Sequence, residues 1–467
     1  MNKIKILKKI FLNIFIIIKD FFNIELIKLI ILNRKLSKKY PKQSNVILFD
    51  FFRVLETEII RSYLLRNLSE ILNASIHCYI TSPFNRINYR WLKYYKSFGT
   101  NKFVYVNLNK KQNNQALTLF NKIIKNIRNK NDLFNLTIFN VHIGVDIYEE
   151  YMMKYQKPTF EYSDVNSRNE IFNGIKLLVF WKDYFETNNV KAIVASHLSL
   201  RFLSLPAKIG GAIFDIPFYS AHSNGINYIE QPHKHSSFIK NIYLNYPIKF
   251  NNLSEKIKSK AKKTAKQRIN SRLSGNVGVD MNYSTKSAFH KSKSKKQFLI
   301  SNSNNIKIVV CTHEFYDSPN SFGELLFNDF YDWLIYLIQL SEKLNYEWYI
   351  KLHPDTDFFT VQTIENLFIN KKKFKVLNSD ISFHEIYENN IKIALTCYGS
   401  IGHELPLLGF SVINAGTNPH IGYNFNENPK NLEGSLAIYG SATKVENSLF
   451  VDDVVSNYVL LLSSDKI

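Results

Sequence analysis

The stretch TCYGSIGHELPLLGFSVINAG (396–416) gathers four glycines, Gly399, Gly402, Gly409 and Gly416, with Ser400 and Glu404 around one short apolar segment. The run before it, IKIALT (391–396), is expected to be a strand, so Cys397 to Ser400 form a turn at its carboxyl edge and a helix follows. A helix start leaves amides unpaired and carries the positive end of the helix dipole, which makes an anion seat. Gly399 lets a phosphate approach the backbone, Ser400 offers a hydroxyl, and Gly402 permits close helix packing. Glu404, one turn in, is placed to reach past the phosphates to a ribose. Gly409 is expected to end the helix in the left-handed conformation, and Pro406 to delay or kink it. The glycines do not follow the dinucleotide pattern G-x-G-x-x-G, and any βα turn carries glycines. Alone, the stretch fits either a phosphate site or a plain turn.

Two further loops are expected at the same sheet edge. KLHPDTD (351–357) follows the strand-like EWYI and brings Lys351, His353 and Asp355 there. A histidine held by the proline after it can donate to a phosphate oxygen, and histidine is also the usual proton-transfer residue. CTHEFYDSPNSFG (311–323) follows another strand-like run and places His313, Glu314 and Asp317 at a third loop. A histidine and carboxylate beside an anion seat suit acid–base work or donor binding, and solvated loop charges account for them equally well. Asp355 and Asp357 have D-x-D spacing but belong to the His-Pro loop, so no metal site is expected. The three cysteines, Cys78, Cys311 and Cys397, have neither metal-ligand spacing nor an even count, which argues against zinc and a disulfide framework and for a cytosolic chain.

The elements that must position these loops read as alternating strands and helices. NVILFDFF (45–52), ASIHCYI (74–80), VKAIVASH (190–197) and IPFYSAH (216–222) are expected strands of a first sheet, with His197 and His222 near strand ends. From Ile306 the order is IKIVVCTH, a long helix over GELLFNDFYDWLIYLIQLSEKL, EWYIKLHP, FKVL, a short helix over SFHEIYEN, IKIALT and SVINAG. Repeated βα units predict a parallel, Rossmann-like α/β sheet, whose ligands gather at the carboxyl ends of its strands. At 467 residues two domains are expected. The spans are an N-terminal helix over 1–40, an N-terminal Rossmann-like domain over 41–250, a basic helix and linker over 251–305, and a C-terminal Rossmann-like domain over 306–467.

Net charge is +21. Such an excess favours an anionic partner, while the Lys, Asn and Ile bias throughout also fits an ordinary solvated surface. In the N-terminal segment Leu7, Phe11, Ile14, Ile18, Phe21 and Ile24 recur at helical spacing, with Lys5, Lys9, Asn13, Lys19 and Asn23 mostly off that stripe. Its uncharged run Ile10 to Ile18 is too short to span a bilayer, and no small-residue cleavage site follows. A basic amphipathic helix lying on an anionic membrane fits, as does a helix packed on its own domain.

Taken together, HEFYDSPNSFG, the helix start at Asp329 to Trp333, KLHP and GSIGHELPLLGFSVINAG resemble the C-terminal domain of GT-B glycosyltransferases of bacterial capsule and surface-polysaccharide synthesis. They are more distantly similar to HP-motif Kdo- and sialyltransferases and to teichoic acid polymerases. The resemblance covers about residues 265–425, beginning at RINSRLSGNVGVDMNYS, and leaves the N-terminal half matched only in layout. It implies two Rossmann-like domains facing a cleft, with a nucleotide-activated sugar as donor substrate and no cofactor. His353, Ser400 and the adjacent amides would hold the donor phosphate, Glu404 the ribose, and Lys351, Asp317, Gly399 and Gly402 would complete the donor site. His313 would join the catalytic groups. Donors of this kind replace a D-x-D-bound metal at the leaving phosphate. The acceptor, lipid-linked or polysaccharide, would lie in the cleft, and a base from the N-terminal domain would serve an inverting reaction, with Asp50 and Glu56 as candidates. The enzyme would work peripherally at the cytoplasmic face of the membrane. Rival readings are a polyol-phosphate transferase of teichoic acid type, a noncatalytic membrane-binding protein, and an RNA binder using the lysine-rich 255–299 region. Nucleic acid is not expected, since no RNP-like aromatic motif or zinc-finger spacing accompanies the lysines.

Overall fold

The computed structural model describes residues 3–36, 44–81, 83–198, 201–222, 225–279, 284–290, 300–301, 303–321 and 323–430. Its described residues form two compact units: the chain up to Tyr155 with Glu161–His235, and Gln156–Phe160 with the chain from Ser236 to residue 430. The expected reach of the second domain beyond residue 430 and the lysine-rich stretch 291–299 lie outside the described residues.

The first unit contains strands β1 (Asn45–Asp50), β2 (Ala74–Ile80), β3 (Thr100–Tyr105), the short hairpin β4 (Thr137–Ile138) and β5 (Val141–His142), then β6 (Asn189–Ala195), β7 (Phe218–His222) and β8 (Gly225–Ile229). Its sheet runs β3-β2-β1-β6-β7-β8, parallel except for the antiparallel edge strand β8. The second unit contains β9 (Lys307–Cys311), β10 (Glu347–Lys351), β11 (Phe374–Val376), β12 (Ile393–Thr396) and β13 (Ser411–Asn414). These pair in the order β11-β10-β9-β12-β13, all parallel. Both sheets are thus Rossmann-like, the domain content expected of a GT-B enzyme.

Strand composition follows from this burial. A parallel sheet covered on both faces needs apolar side chains pointing both ways, so its strands read as continuous runs. In the second unit Ile308, Val310, Trp348, Ile350 and Ile413 enter one core with Trp333, Leu337 and Phe368. Their strand neighbours Val309, Tyr349 and Val412 enter the opposite core with Phe289, Phe383, Leu405 and Phe410, the period-two alternation of a pleated strand.

Three expectations change here. The second unit takes in the chain from Ser236, ahead of the expected start at residue 306. The basic segment is a regular helix, Glu255–Leu273, that belongs to this unit. Its buried Ala265 and Ile269 pack with Tyr243, Tyr246, Phe250, Tyr423 and Phe425. The long helix expected from Gly323 begins only at Phe330, because Asp329 caps it by accepting the Asp332 amide at 2.7 Å.

The N-terminal segment is two helices, Lys3–Phe21 and Ile24–Leu36, rather than one. The second packs on its own unit: Leu26 and Ile30 are buried with Phe49, Trp91 and Tyr95, and Asn33 donates to Ser97. The first leaves Phe11, Ile14, Phe15, Ile18 and Phe21 exposed, Phe11 at 72%. No helix among the described residues is long and apolar enough to cross a membrane.

Candidate functional site

In the second sheet β9 lies between β10 and β12, so chain order reverses at the β9–β12 pair. At such a point the loops leaving two neighbouring strands diverge and open a crevice at the carboxyl edge. Here those loops carry His313, two residues past β9, and Cys397–Ser400, directly past β12.

Gly399 has φ of +130°, which a residue with a Cβ rarely adopts. The chain then makes one α-turn, Ile401–Glu404, and continues as a 3-10 turn over Leu405–Leu408, with Pro406 near its start and Gly409 at φ +91° ending it. A four-residue helix has little dipole, so the expected helix-dipole seat is replaced by individual donors. The amides of Gly402, His403 and Glu404 are taken by the carbonyls of Gly399 and Ser400 at 3.0–3.1 Å. Among the described residues, no acceptor takes the amides of Gly399, Ser400 or Ile401. Gly402 packs on His420: a Cβ there would lie 2.2 Å from the imidazole ring.

The cation at this turn comes from a residue that reading the sequence did not single out. Arg272, in the last turn of the helix Glu255–Leu273, ion-pairs through Nε with the Glu404 carboxylate, and its Nη2 donates to Ser400 Oγ at 3.2 Å. Glu404 is 2% exposed and Arg272 22%. Arg272 lies in a basic helix, where one more cation near a helix C-terminus reads as a dipole partner. The resembling stretch RINSRLSG contains it, and that was the available signal.

His313 Nε2 lies 3.0 Å from Thr396 Oγ1 and accepts from the amides of Cys397 and Tyr398 at 3.3 and 3.4 Å. An Nε2 that accepts amides puts the ring proton on Nδ1. The ring stacks on Phe330 with centroids 4.5 Å apart. Burial, helped by His353, pushes its pKa down to about 3. His313 is therefore a neutral donor through Nδ1, and its basic nitrogen is already occupied, which argues against the expected acid–base part. His353 is exposed, and its Nδ1 accepts the Asp355 amide at 3.2 Å, leaving the proton on Nε2. The ring nitrogens are nonetheless partly desolvated, which lowers its pKa, with Lys351 and Arg272 adding to that and Asp355 and Asp317 opposing it.

Lys351 is corrected. It is buried, and its ammonium donates to the carbonyls of Leu352 at 3.2 Å and Ser379 at 2.7 Å, tying two loops together. Burial lowers its pKa to about 8. Asp355 accepts from the Thr285 amide and hydroxyl; burial would raise its pKa, but these bonds hold it low. Glu314 accepts from the Asp357 amide at 2.9 Å and the Thr360 hydroxyl at 2.8 Å, and burial lifts its pKa to about 7. Asp317 is exposed.

No family model and no curated protein matches this sequence. Among solved structures, the chain is similar to KpsC of Thermosulfurimonas dismutans, a beta Kdo 2,4 transferase, at 13% identity, covering 58% of this chain and 79% of that one with a TM-score of 0.33. UDP-GlcNAc 2-epimerase of Methanocaldococcus jannaschii shares 12% identity over 90% of this chain and 99% of its own, with a TM-score of 0.28. The Neisseria meningitidis UDP-GlcNAc 2-epimerase shares 10% over 90% and 98%, with a TM-score of 0.23. Scores this low carry no assignment, and the fold stands on the strand order and register of the two sheets.

In the first unit the equivalent reversal, between β1 and β6, is filled. Asp50 is fully buried, ion-pairs with Arg61, and accepts from the Ser196 amide at 3.2 Å and hydroxyl at 2.6 Å. Arg61, also buried, pairs with Glu58 as well. Asp50 is therefore a fixed structural anion, a correction to its candidacy as a base. Glu56 stands exposed in the first turn of the helix Leu55–Ile71. His197 lies 3.0 Å from Ser196 Oγ and edge-on to Phe52.

Proposed function

We propose that this protein is a glycosyltransferase that moves a sugar from a nucleotide-activated donor to a capsular or lipid-linked surface-polysaccharide acceptor. One observation carries the reading. At the β9–β12 reversal, three unaccepted amides and the neutral His313 imidazole lie beside the Ser400 hydroxyl, which the Arg272 guanidinium reaches from its pair with Glu404, while His353 follows the neighbouring strand β10; a set of donors this dense suits an anionic ligand. A nucleotide phosphate is such an acceptor, and donors held in advance stabilise the charge that grows on it as the sugar departs. In this reading Gly399, Ser400 and Ile401 bind phosphate through their amides, His313 donates through Nδ1 and His353 through Nε2, and Glu404 takes the ribose hydroxyls. With Asp50 locked to Arg61, the exposed Glu56 is the proposed base of an inverting displacement.

The exposed apolar face of the first helix supports work at an anionic membrane surface, where a lipid-linked acceptor resides. The test is product formation. Purified protein is incubated with labelled nucleotide sugars or labelled CDP-glycerol and a membrane-derived acceptor. Label transferred from a nucleotide sugar supports the reading. Transfer only from CDP-glycerol makes the protein a polyol-phosphate transferase, and no transfer from either removes the enzyme reading.

A further inference from the structure

Glu404 poses a problem for the reading above. A carboxylate meant for ribose hydroxyls is 2% exposed and held by Arg272, whose guanidinium also reaches the hydroxyl of Ser400 in the proposed phosphate seat. The two roles are in conflict as the side chains stand. A phosphate entering among the amides of Gly399, Ser400 and Ile401 comes within reach of Arg272, and a guanidinium is built to bind phosphate and carboxylate alike. If Arg272 stayed on Glu404, the incoming dianion would meet a pair with no net charge. If Arg272 left, a buried carboxylate would lose its counter-ion, an arrangement proteins avoid. Both difficulties vanish if the ligand supplies a replacement, since two vicinal hydroxyls can donate to the carboxylate Arg272 gives up.

We infer that Arg272 is a ligand-binding residue that exchanges partners: it leaves Glu404 for the ligand's phosphate while the ribose diol takes its place on the carboxylate. The Arg272–Glu404 pair of the free protein is then a latch that opens fully only to a ligand bearing both groups on one molecule. Nucleosides offer the diol without the phosphate and pyrophosphate offers the phosphate without the diol, so each opens half of it. The inference rests on the nucleotide reading only for the ligand's identity, because the exchange is a property of residues within one unit.

Calorimetric titration with inorganic pyrophosphate, UDP, 2′,3′-dideoxy-UDP, CDP, CMP and GDP tests it on wild type, Glu404→Gln and Arg272→Gln. Freed of its carboxylate, Arg272 in Glu404→Gln is expected to bind pyrophosphate about 10-fold more tightly than wild type does, and the variant is expected to lose the preference for UDP over its dideoxy form. Arg272→Gln is expected to bind pyrophosphate more weakly than wild type. Should Glu404→Gln fail to fold, Glu404→Ala, which also removes the carboxylate, takes its place and carries the same expectation. Unchanged pyrophosphate affinity in the Glu404 variant overturns the latch. So does wild type binding UDP and dideoxy-UDP equally. Pyrophosphate tightening without binding of UDP, CDP, CMP or GDP keeps the latch and removes the nucleotide reading. Nucleotide binding indifferent to both substitutions does the reverse.

Discussion

His313 and Thr396 meet across the strand pair where the second sheet reverses its order, with Nε2 3.0 Å from Thr396 Oγ1. The contact joins the loop after β9 to the end of β12, and the same nitrogen accepts the two amides that begin the Cys397–Ser400 turn. The histidine thus shapes the backbone that presents the phosphate donors. Substituting alanine leaves those amides without their acceptor, at a cost of about 1–3 kcal/mol. His313→Ala is expected to lower the unfolding free energy by that amount and to weaken nucleotide binding, read by denaturant titration and calorimetry respectively.

The protonation of this ring is separately testable. Burial holds its pKa near 3, against an ordinary 6.5, so it is neutral throughout the physiological range. The sign is that of a depressed histidine: its contribution to stability is present above 6.5 and is lost as pH falls toward 3. Imidazole NMR should show no His313 titration near pH 6.5. A transition there contradicts the assignment of Nε2 as acceptor.

Lys351→Met separates structure from binding. The ammonium ties Leu352 to Ser379, so its removal strands two carbonyl oxygens and is expected to cost about 1–3 kcal/mol. Nucleotide affinity of the folded variant is expected to stay within about 3-fold of wild type, a difference below about 0.7 kcal/mol. A larger loss of affinity at unchanged stability returns Lys351 to the donor site.

Much of the fold could be read directly because parallel strands covered on both faces leave continuous apolar runs: KIVVC, EWYI and IALT need no long-range information. The site loops were legible for the same reason, since each follows such a run. What resisted reading depends on contacts between distant residues. Arg272 and Glu404 are separated by 132 positions, and nothing local distinguishes this arginine from the cations before it. Lys351 reads like a site lysine until its ammonium is seen on the Ser379 carbonyl, 28 residues away. Asp50 looks like a loop carboxylate, whereas the helix after β1 folds Arg61 back onto it. The basic helix is expected from the sequence, but the membership of Glu255–Leu273 in the second unit is not legible there, because only Ala265 and Ile269 are buried along it.

Glu58 carries a pH prediction for the first unit. Burial raises its pKa from 4.5 to about 8, with Arg61 opposing and Asp50 adding to the rise. For a raised carboxyl the folded state favours the protonated form, so its stabilising share is full below 4.5 and is lost as pH rises through 8. Glu58→Gln is expected to flatten the stability profile between those values, where wild type falls by up to about 1.4 kcal/mol per pH unit. Urea denaturation at several pH values reads this, and parallel profiles for the two proteins rule out Glu58 as the source.

The central claim is that the turn after β12 binds a nucleotide phosphate. Thermal unfolding of wild type, His353→Ala and Ser400→Ala with CMP, CDP, UDP and GDP tests it most directly. A ligand bound only by the folded state at 100 times its Kd stabilises it by about 2.7 kcal/mol. The account predicts that at least one nucleotide raises the wild-type midpoint accordingly, and that both substitutions shrink the shift. Wild type unmoved by all four at saturating concentration, or variants shifted as far as wild type, would contradict it.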